Sequence, residues 1–181
     1  MVADAPTPES ADDARETTHE PPAEQIHGHT VRLSGGQRVV FPDRGDYLAL
    51  IKALHDDGYL MVVDLTAVDY LTYPVARDLP EGVRPERYEV VVNLLNHRER
   101  TRLRLRVQVP ESEPELPTLW HLYPGTEAME REAFDMFGVQ FADHPDLTRI
   151  LMPEDWVGHP LRKDFDSGRI PVQFKDAPVT R

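Results

Sequence analysis

Residues 87–109 read RYEVVVNLLNHRERTRLRLRVQV, and the reading of this stretch decides the fold. In its first half, Tyr88, Val90, Val92 and Leu94 occupy alternate positions. In its second half, Thr101, Leu103, Leu105, Val107 and Val109 alternate with Arg100, Arg102, Arg104 and Arg106. A period of two sends successive side chains to opposite faces of a strand. Arg87–Leu94 and Arg100–Val109 are therefore predicted as half-buried strands. The short polar link around Asn96, His97 and Arg98 joins them into an antiparallel hairpin. The inward residues are even-numbered on one strand and odd-numbered on the other, so opposed residues sum to an odd number and the loop holds an even number of residues. A two-residue loop would set Val92 opposite Leu103 and Glu89 opposite Arg106.

The arginine stripe reads as a solvated outer sheet face. Its side-chain stems would cover apolar surface, with Glu89 and Glu99 neutralising part of the charge. The alternative is a basic face for an acidic partner or for lipid headgroups.

Outward from the hairpin toward the N-terminus, Tyr59 to Thr66 is dense in β-formers and reads as a buried strand. Tyr47, Leu50, Ile51 and Leu54 recur at i, i+3, i+4 and i+7, one buried face of a helix. Asp43 or Asp46 is placed to cap that helix, and Gly58 to stop it. Gln37–Phe41 is a further short strand, ended by Pro42. Residues 1 to about 25 carry seven acidic residues, one Arg and four Pro with almost nothing apolar. Such a segment cannot offset the entropy of ordering and is predicted to be a disordered, solvated acidic leader; an acidic docking tail is its functional reading.

Toward the C-terminus, Pro110–Pro117 reads as an acidic loop and Thr118–Tyr123 as a short helical turn. Thr126 can cap a helix from Glu127 to Phe137. Met129, Ala133, Met136 and Phe137 lie on one side of it, and Glu127, Arg131 and Asp135 form an i, i+4 ladder on another. Gly138 ends this helix. Val139–Phe141 could be a short strand, and beyond it Pro145, Pro153 and Pro160 punctuate a long stretch without helical period. The expected architecture is α+β: a two-layer sandwich with a mixed or antiparallel sheet, few helices on one face, and a long irregular C-terminal arm. The expected division is a leader over 1–30, an α+β domain over 31–140, and an extended arm over 141–181 that docks on partner subunits.

Composition narrows the function. The chain has 181 residues, 32 acidic against 20 basic, a net charge of -12, and no cysteine. Nucleic acid is a poor partner for such a balance, because phosphate contacts need an excess of Lys and Arg. No run approaches the ~18 apolar residues of a membrane-spanning helix, so a membrane link would go through another protein. The first twenty residues resemble neither a secretory signal nor a transit peptide. Without thiolates the chain holds no ordinary iron–sulfur cluster and no cysteine nucleophile.

Four chemistries are weighed against this background. His144, Asp146 and His159 are ligand-type residues, but their spacing lacks the close pairs of a zinc site. Glu130, Glu132 and Asp135 could supply paired carboxylates, yet Glu130 and Glu132 point in different directions on a helix, and surface ion pairs are the plainer account. Ser34-Gly35-Gly36 lacks the context of a phosphate loop. No serine sits in G-x-S-x-G. What remains is binding. The arm from Phe141 to Arg169 is expected to mix exposed aromatic and apolar residues, Phe141, Leu147, Ile150, Leu151, Trp156 and Phe165, with Arg149, Arg162, Lys163 and Asp164, the mixture that interfaces favour. Long structureless arms in small domains are usually functional.

The same arm carries a resemblance. Glu130-Arg131-Glu132-Ala133-Phe134-Asp135-Met136-Phe137-Gly138, then His144-Pro145-Asp146-Leu147, Arg149-Ile150-Leu151, and Gly158-His159-Pro160-Leu161-Arg162-Lys163-Asp164, resemble the signature of the 30 kDa subunit of proton-pumping NADH:quinone oxidoreductase, respiratory complex I (the C subunit in bacteria). Asp64-Leu65-Thr66-Ala67-Val68-Asp69-Tyr70 and the Arg87–Leu94 strand are similar to that family too, so the likeness spans roughly residues 35 to 165. Two positions depart from it: Thr148 stands where the family usually has a basic residue or Pro, and Asp143 where it usually has Gly. The resemblance implies a non-catalytic subunit of the hydrophilic peripheral arm. Such a subunit supports electron transfer from NADH to quinone, coupled to proton translocation, and holds no cofactor itself; the iron–sulfur clusters, FMN, NADH and quinone belong to other subunits. It implies the 49 kDa-like subunit and iron–sulfur-bearing neighbours as partners, at the cytoplasmic side of the cell membrane. Partner binding is then expected of Glu130, Arg131, Glu132, Asp135, His144, Asp146, Arg149, Trp156, His159, Arg162, Lys163, Asp164 and Phe165. The competing readings are a stand-alone metal-dependent enzyme using His144, Asp146 and His159, and the equivalent subunit of a related hydrogenase-type complex.

Overall fold

The computed structural model describes residues 24–166. Along the chain run β1 (Gln25–Ile26), β2 (His29–Ser34), β3 (Gln37–Val40), α1 (Tyr47–Asp56), β4 (Met61–Asp69), β5 (Tyr88–Asn96), β6 (Thr101–Val109), β7 (Glu115–Pro117), α2 (Glu127–Phe137) and β8 (Gln140–Ala142). Six strands form one mixed sheet in the order β1-β2-β3-β6-β5-β4, parallel only between β3 and β6. β7 and β8 make a separate parallel pair. With two helices and a mixed sheet, the fold is the expected α+β class.

The central hairpin is present, with a register two residues from the tightest one. Its closing pair is Asn96 with Thr101, so the loop is the four residues 97–100, and Arg100 takes a φ of 54° to make the turn. The parity argument holds, but Val92 lies opposite Leu105, not Leu103, and Glu89 opposite Gln108. Arg106 still reaches Glu89 diagonally, donating at 2.7 and 3.0 Å.

Inward side chains of β5 and β6 meet Tyr47, Leu50, Ile51 and Leu54 of α1 in one core. Removing each such side chain from water stabilises the fold by roughly 1.5–3 kcal/mol. On the opposite sheet face, Glu89 is buried under the segment after β4, where Tyr70 donates to it at 3.3 Å and Arg77 stands 3.7 Å away. The arginine stripe is thus uneven. Arg106 is paired with Glu89 and Arg104 donates to Asn93 at 2.9 Å, whereas Arg100 and Arg102 are exposed.

Several expectations are corrected. β1 and the start of β2 lie inside residues 24–30, which the sequence assigns to the leader; the sheet begins there because Val31 is buried while its neighbours are polar. The rest of the expected leader, residues 1–23, and the end of the expected arm, residues 167–181, lie outside the described part. β4 is an edge strand, and its first residues are exposed rather than buried, with Met61 at 44%. The loop expected over Pro110–Pro117 contains β7, pinned by buried Leu116. Neither Asp46 nor Thr126 caps its helix through the side chain. Thr126 instead donates to the Tyr123 carbonyl at 3.0 Å.

Candidate docking interface

α2 buries Ala133 and Met136, as its pattern requires, and also two carboxylates, Glu130 and Asp135. A buried carboxylate persists only where hydrogen bonds replace its water. Both find them, from different directions.

Glu130 faces the turn before the helix. Its carboxylate accepts from the Leu119 N–H at 2.7 Å and from the Thr118 hydroxyl, and it shares the Thr126 hydroxyl, 3.2 Å away, with the Tyr123 carbonyl. His144 stands 3.9 Å away with its ring fully buried. The Asp146 N–H donates to His144 Nδ1 at 3.1 Å, so Nε2 carries the hydrogen that reaches the Glu127 carbonyl at 3.2 Å. Burial raises the Glu130 carboxyl above its usual range, against the opposing pull of Thr118, Leu119 and His144.

Asp135 faces the arm. One oxygen accepts from Arg149 at 2.5 Å; the other receives the consecutive N–H groups of Ile150, Leu151 and Met152 at 3.0, 2.8 and 2.8 Å. Burial alone would raise this carboxyl, but the Met152 N–H, Arg149 and the other N–H groups together hold it below the usual range. The ladder with Glu127 and Arg131 is therefore only half made. Arg131 lies 3.8 Å from Glu127, while its guanidinium donates to the Thr148 carbonyl, the Thr148 hydroxyl and the Arg149 carbonyl at 3.0–3.1 Å.

The last turn of a helix leaves its carbonyls without partners, and here the C-cap glycine and the arm supply them. Gly138 N–H takes Phe134 at 2.8 Å, His159 Nδ1 takes Asp135 at 3.0 Å, Leu161 N–H takes Met136 at 3.0 Å, and Arg162 takes Phe137 at 2.6 Å. Cationic and polar groups at a helix C-terminus also oppose the macrodipole. Gly138 is required twice over: its φ is 76°, and a Cβ there would stand 2.3 Å from Arg162 and 2.7 Å from His159. Farther along, Trp156 stacks on Phe165 with ring centroids 6.4 Å apart. The arm's end is clipped by Asp69 and Arg87. Lys163 N–H donates to Asp69 at 2.9 Å, and Arg87 bridges Asp69 at 2.9 Å and Asp164 at 2.8 Å. The Asp69 carboxyl, which burial would raise, is held low by Arg87 and by the N–H groups of Lys163 and Leu71.

The residues singled out in the sequence thus gather along α2 and the arm, but most of them face inward. Arg131, Asp135, Arg149, His159, Arg162 and Asp164 hold the arm to its own domain, and Glu130 and His144 hold the start of α2. Glu132, Asp146 and Lys163 are exposed. The sequence reading missed Asp69, Arg87, Thr118 and Thr126 as anchors; their bonds run to backbone groups or across the fold and leave no periodic trace. The described part of the arm also presents four large apolar side chains among its exposed polar ones: Ile150, Leu151, Val157 and Leu161 are 41–87% exposed, whereas Phe141, expected outside, is buried and Leu147 packs against the core. A metal site at His144, Asp146 and His159 is not assembled. His144 binds near the first turn of α2 and His159 at its last, about two turns apart. Among the described residues no three His, Cys, Asp or Glu residues are placed to hold a metal. Nor is any helix among them long and apolar enough to cross a membrane.

Residues 40–170 match the family model described as the respiratory-chain NADH dehydrogenase 30 kDa subunit. The chain is 39% identical over 161 residues to the NADH-quinone oxidoreductase C subunit of Saccharopolyspora erythraea, covering 87% of this chain and 60% of that one. It is 40% identical over 150 residues to the corresponding C subunit of Herpetosiphon aurantiacus, covering 80% and 81%. Among solved structures, a trypsin-resistant fragment (1-134) of Nqo5 superposes with a TM-score of 0.59 at 33% identity, over 66% of this chain and 90% of the fragment. The chain thus spans about three fifths of the Saccharopolyspora relative and about four fifths of the Herpetosiphon one.

Proposed function

The chain belongs to the family of the respiratory-chain NADH dehydrogenase 30 kDa subunit, and from that membership we propose that it is a docking subunit of the peripheral arm of a proton-translocating NADH:quinone oxidoreductase. Its α+β domain serves as a rigid anchor, and the segment from Glu130 to Phe165 docks on the 49 kDa-like subunit and on iron–sulfur-bearing neighbours. Electrons pass from NADH to quinone through cofactors on those neighbours. This chain contributes position, because transfer between centres depends steeply on their separation. It reaches the cytoplasmic side of the cell membrane through the complex.

One observation supports this reading above the rest: the arm is irregular, yet nearly every polar anchor in it is already bonded to its own domain. A segment ordered before association loses less entropy on binding. In this reading Arg131, Asp135, Arg149, His159, Arg162 and Asp164 act by shaping the arm. Ile150, Leu151, Val157 and Leu161 then supply apolar contact, flanked by Glu132, Asp146 and Lys163. Trp156 and Phe165 keep the arm's far end rigid.

The test is Leu151→Asp with Val157→Asp in the intact complex. The purified variant chain should melt within ~1 °C of the wild type, since both side chains are exposed. Recovery of iron–sulfur subunits with the tagged chain, and NADH:quinone activity in the eluate, should fall together. Unchanged recovery and activity would remove this surface from the docking reading.

A further inference from the structure

We propose that the basic groove at the tip of the β5–β6 hairpin is the docking site of this chain's own acidic segment, residues 1–23. The groove is open, about 490 Å³, and is lined by Gln37, Arg38, Leu95, His97, Arg100 and Arg102 among others. It lies at the sheet end away from the clip formed by Asp69, Arg87 and Asp164, and does not depend on the reading of the arm as a docking segment.

The charge at this end of the sheet is unbalanced. Farther along the same stripe, Arg104 and Arg106 have Asn93 and Glu89 as partners. Arg100 and Arg102 have no carboxylate partner among the described residues, and the only acidic residue in the hairpin loop is Glu99. Yet the chain as a whole is acidic by 12 charges, and residues 1–23 hold six carboxylates against one arginine. The chain enters the sheet beside the groove: the Glu24 carboxylate pairs with Arg38, and the Glu24 carbonyl accepts the Val31 N–H at 2.8 Å. Glu20 is thus four residues from the groove's rim. Asp12, Asp13 and Glu16 are within reach of Arg100 and Arg102, because eleven residues span up to roughly 35–40 Å.

A tethered segment meets its site at a millimolar-range effective concentration, so even weak pairs are populated. Carboxylates on arginines gain charge-assisted hydrogen bonds. The contact is electrostatic and exposed, so it is salt-sensitive: the Debye length falls from about 10 Å at 0.1 M to about 3 Å at 1 M.

The absence of cysteine makes the test direct, since Ser10→Cys gives one attachment point for a nitroxide on the full chain. At 0.05 M NaCl the amide signals of Leu95, Thr101 and Arg102 should lose at least half their intensity relative to the reduced label, while that of Leu161 keeps it. The loss should vanish at 1 M NaCl, in Arg100→Glu/Arg102→Glu, and in Asp12→Asn/Asp13→Asn/Glu16→Gln. Equal intensities at Leu95, Thr101 and Leu161 in low salt would overturn the proposal. So would broadening of an unlabelled chain mixed with a nitroxide-bearing one, which would give the groove to a second copy.

Discussion

Asp135 and Arg149 are joined at 2.5 Å across the boundary between α2 and the arm. The pair is more than an ion pair, because the second Asp135 oxygen gathers three successive backbone N–H groups into a turn. No other side chain has the charge and the compact acceptor geometry for both tasks. Asp135→Asn keeps the shape but loses the charge and one acceptor. It should cost about 3 kcal/mol, the lower end for breaking a buried pair, since Arg149 retains some access to water. Amide exchange at Ile150, Leu151 and Met152 should rise on the order of 100-fold, while amides of β5 and β6 change by the global loss alone. Wild-type exchange in the turn would show that Asp135 does not hold it.

The buried carboxylates respond to pH with opposite signs. Asp69 and Asp135 are held below their usual range, so the stability they contribute is complete above the unfolded value of about 3.9 and is lost as pH falls through their folded values. The arm's anchors should therefore persist in mild acid and fail in strong acid. Glu130 is raised, so its contribution is complete below about 4.3 and is lost as pH climbs through its folded value. Urea unfolding of Glu130→Gln, compared with wild type from pH 4 to 8, should show the variant gaining relative stability as pH rises. A parallel pair of curves would contradict the burial argument.

Asp143 takes a φ of 64°, a conformation that costs most L-residues roughly 1–2 kcal/mol. Glycine would adopt this conformation without that cost, and aspartate is among the other residues that tolerate it best. Asp143→Gly should be neutral or stabilising by up to ~1 kcal/mol, because relief of strain is offset by the freer unfolded chain. Asp143→Val should destabilise by more than about 1 kcal/mol. Melting temperatures of the two variants test the order, and a valine variant as stable as the glycine one would refute it.

What the sequence made legible follows from periodicity. β6 alternates along its length, β5 keeps Tyr88, Val90, Val92 and Leu94 on one face, and both lie inside the sheet, so their inner faces could be read directly. The loop's parity followed from that alternation, but its length did not, because Arg100 enters the left-handed region without a glycine to announce it. β1, β2 and β7 were invisible for the opposite reason: they are short, and one buried residue such as Val31 or Leu116 makes no pattern. The arm's composition was legible, but not its direction. Arg131, Arg149 and Arg162 look like surface groups until the orphan carbonyls of α2 and the turn at Thr148 are seen to need donors.

Arg87 gives the sharpest test of how the arm is fastened. Its guanidinium donates to Asp69 through Nε at 3.2 Å and one terminal nitrogen at 2.9 Å; that same nitrogen reaches Asp164 at 2.8 Å, and the other pairs with Glu111. Its side chain is only 7% exposed, and the Asp69 side chain is fully buried. Arg87→Ala leaves Asp69 buried without its counter-charge, which costs about 3–5 kcal/mol. That loss alone would not identify a clip. The double variant Arg87→Met/Asp69→Asn removes both charges and should recover much of the stability. The N–H of Lys163 would still face only an amide oxygen, and Asp164 would have lost its arginine. Trypsin cleavage after Lys163 should therefore stay at least tenfold faster in the double variant than in wild type, at matched global stability. Cleavage at the wild-type rate would mean that the caps on α2 hold the arm by themselves and that Arg87 serves only the sheet.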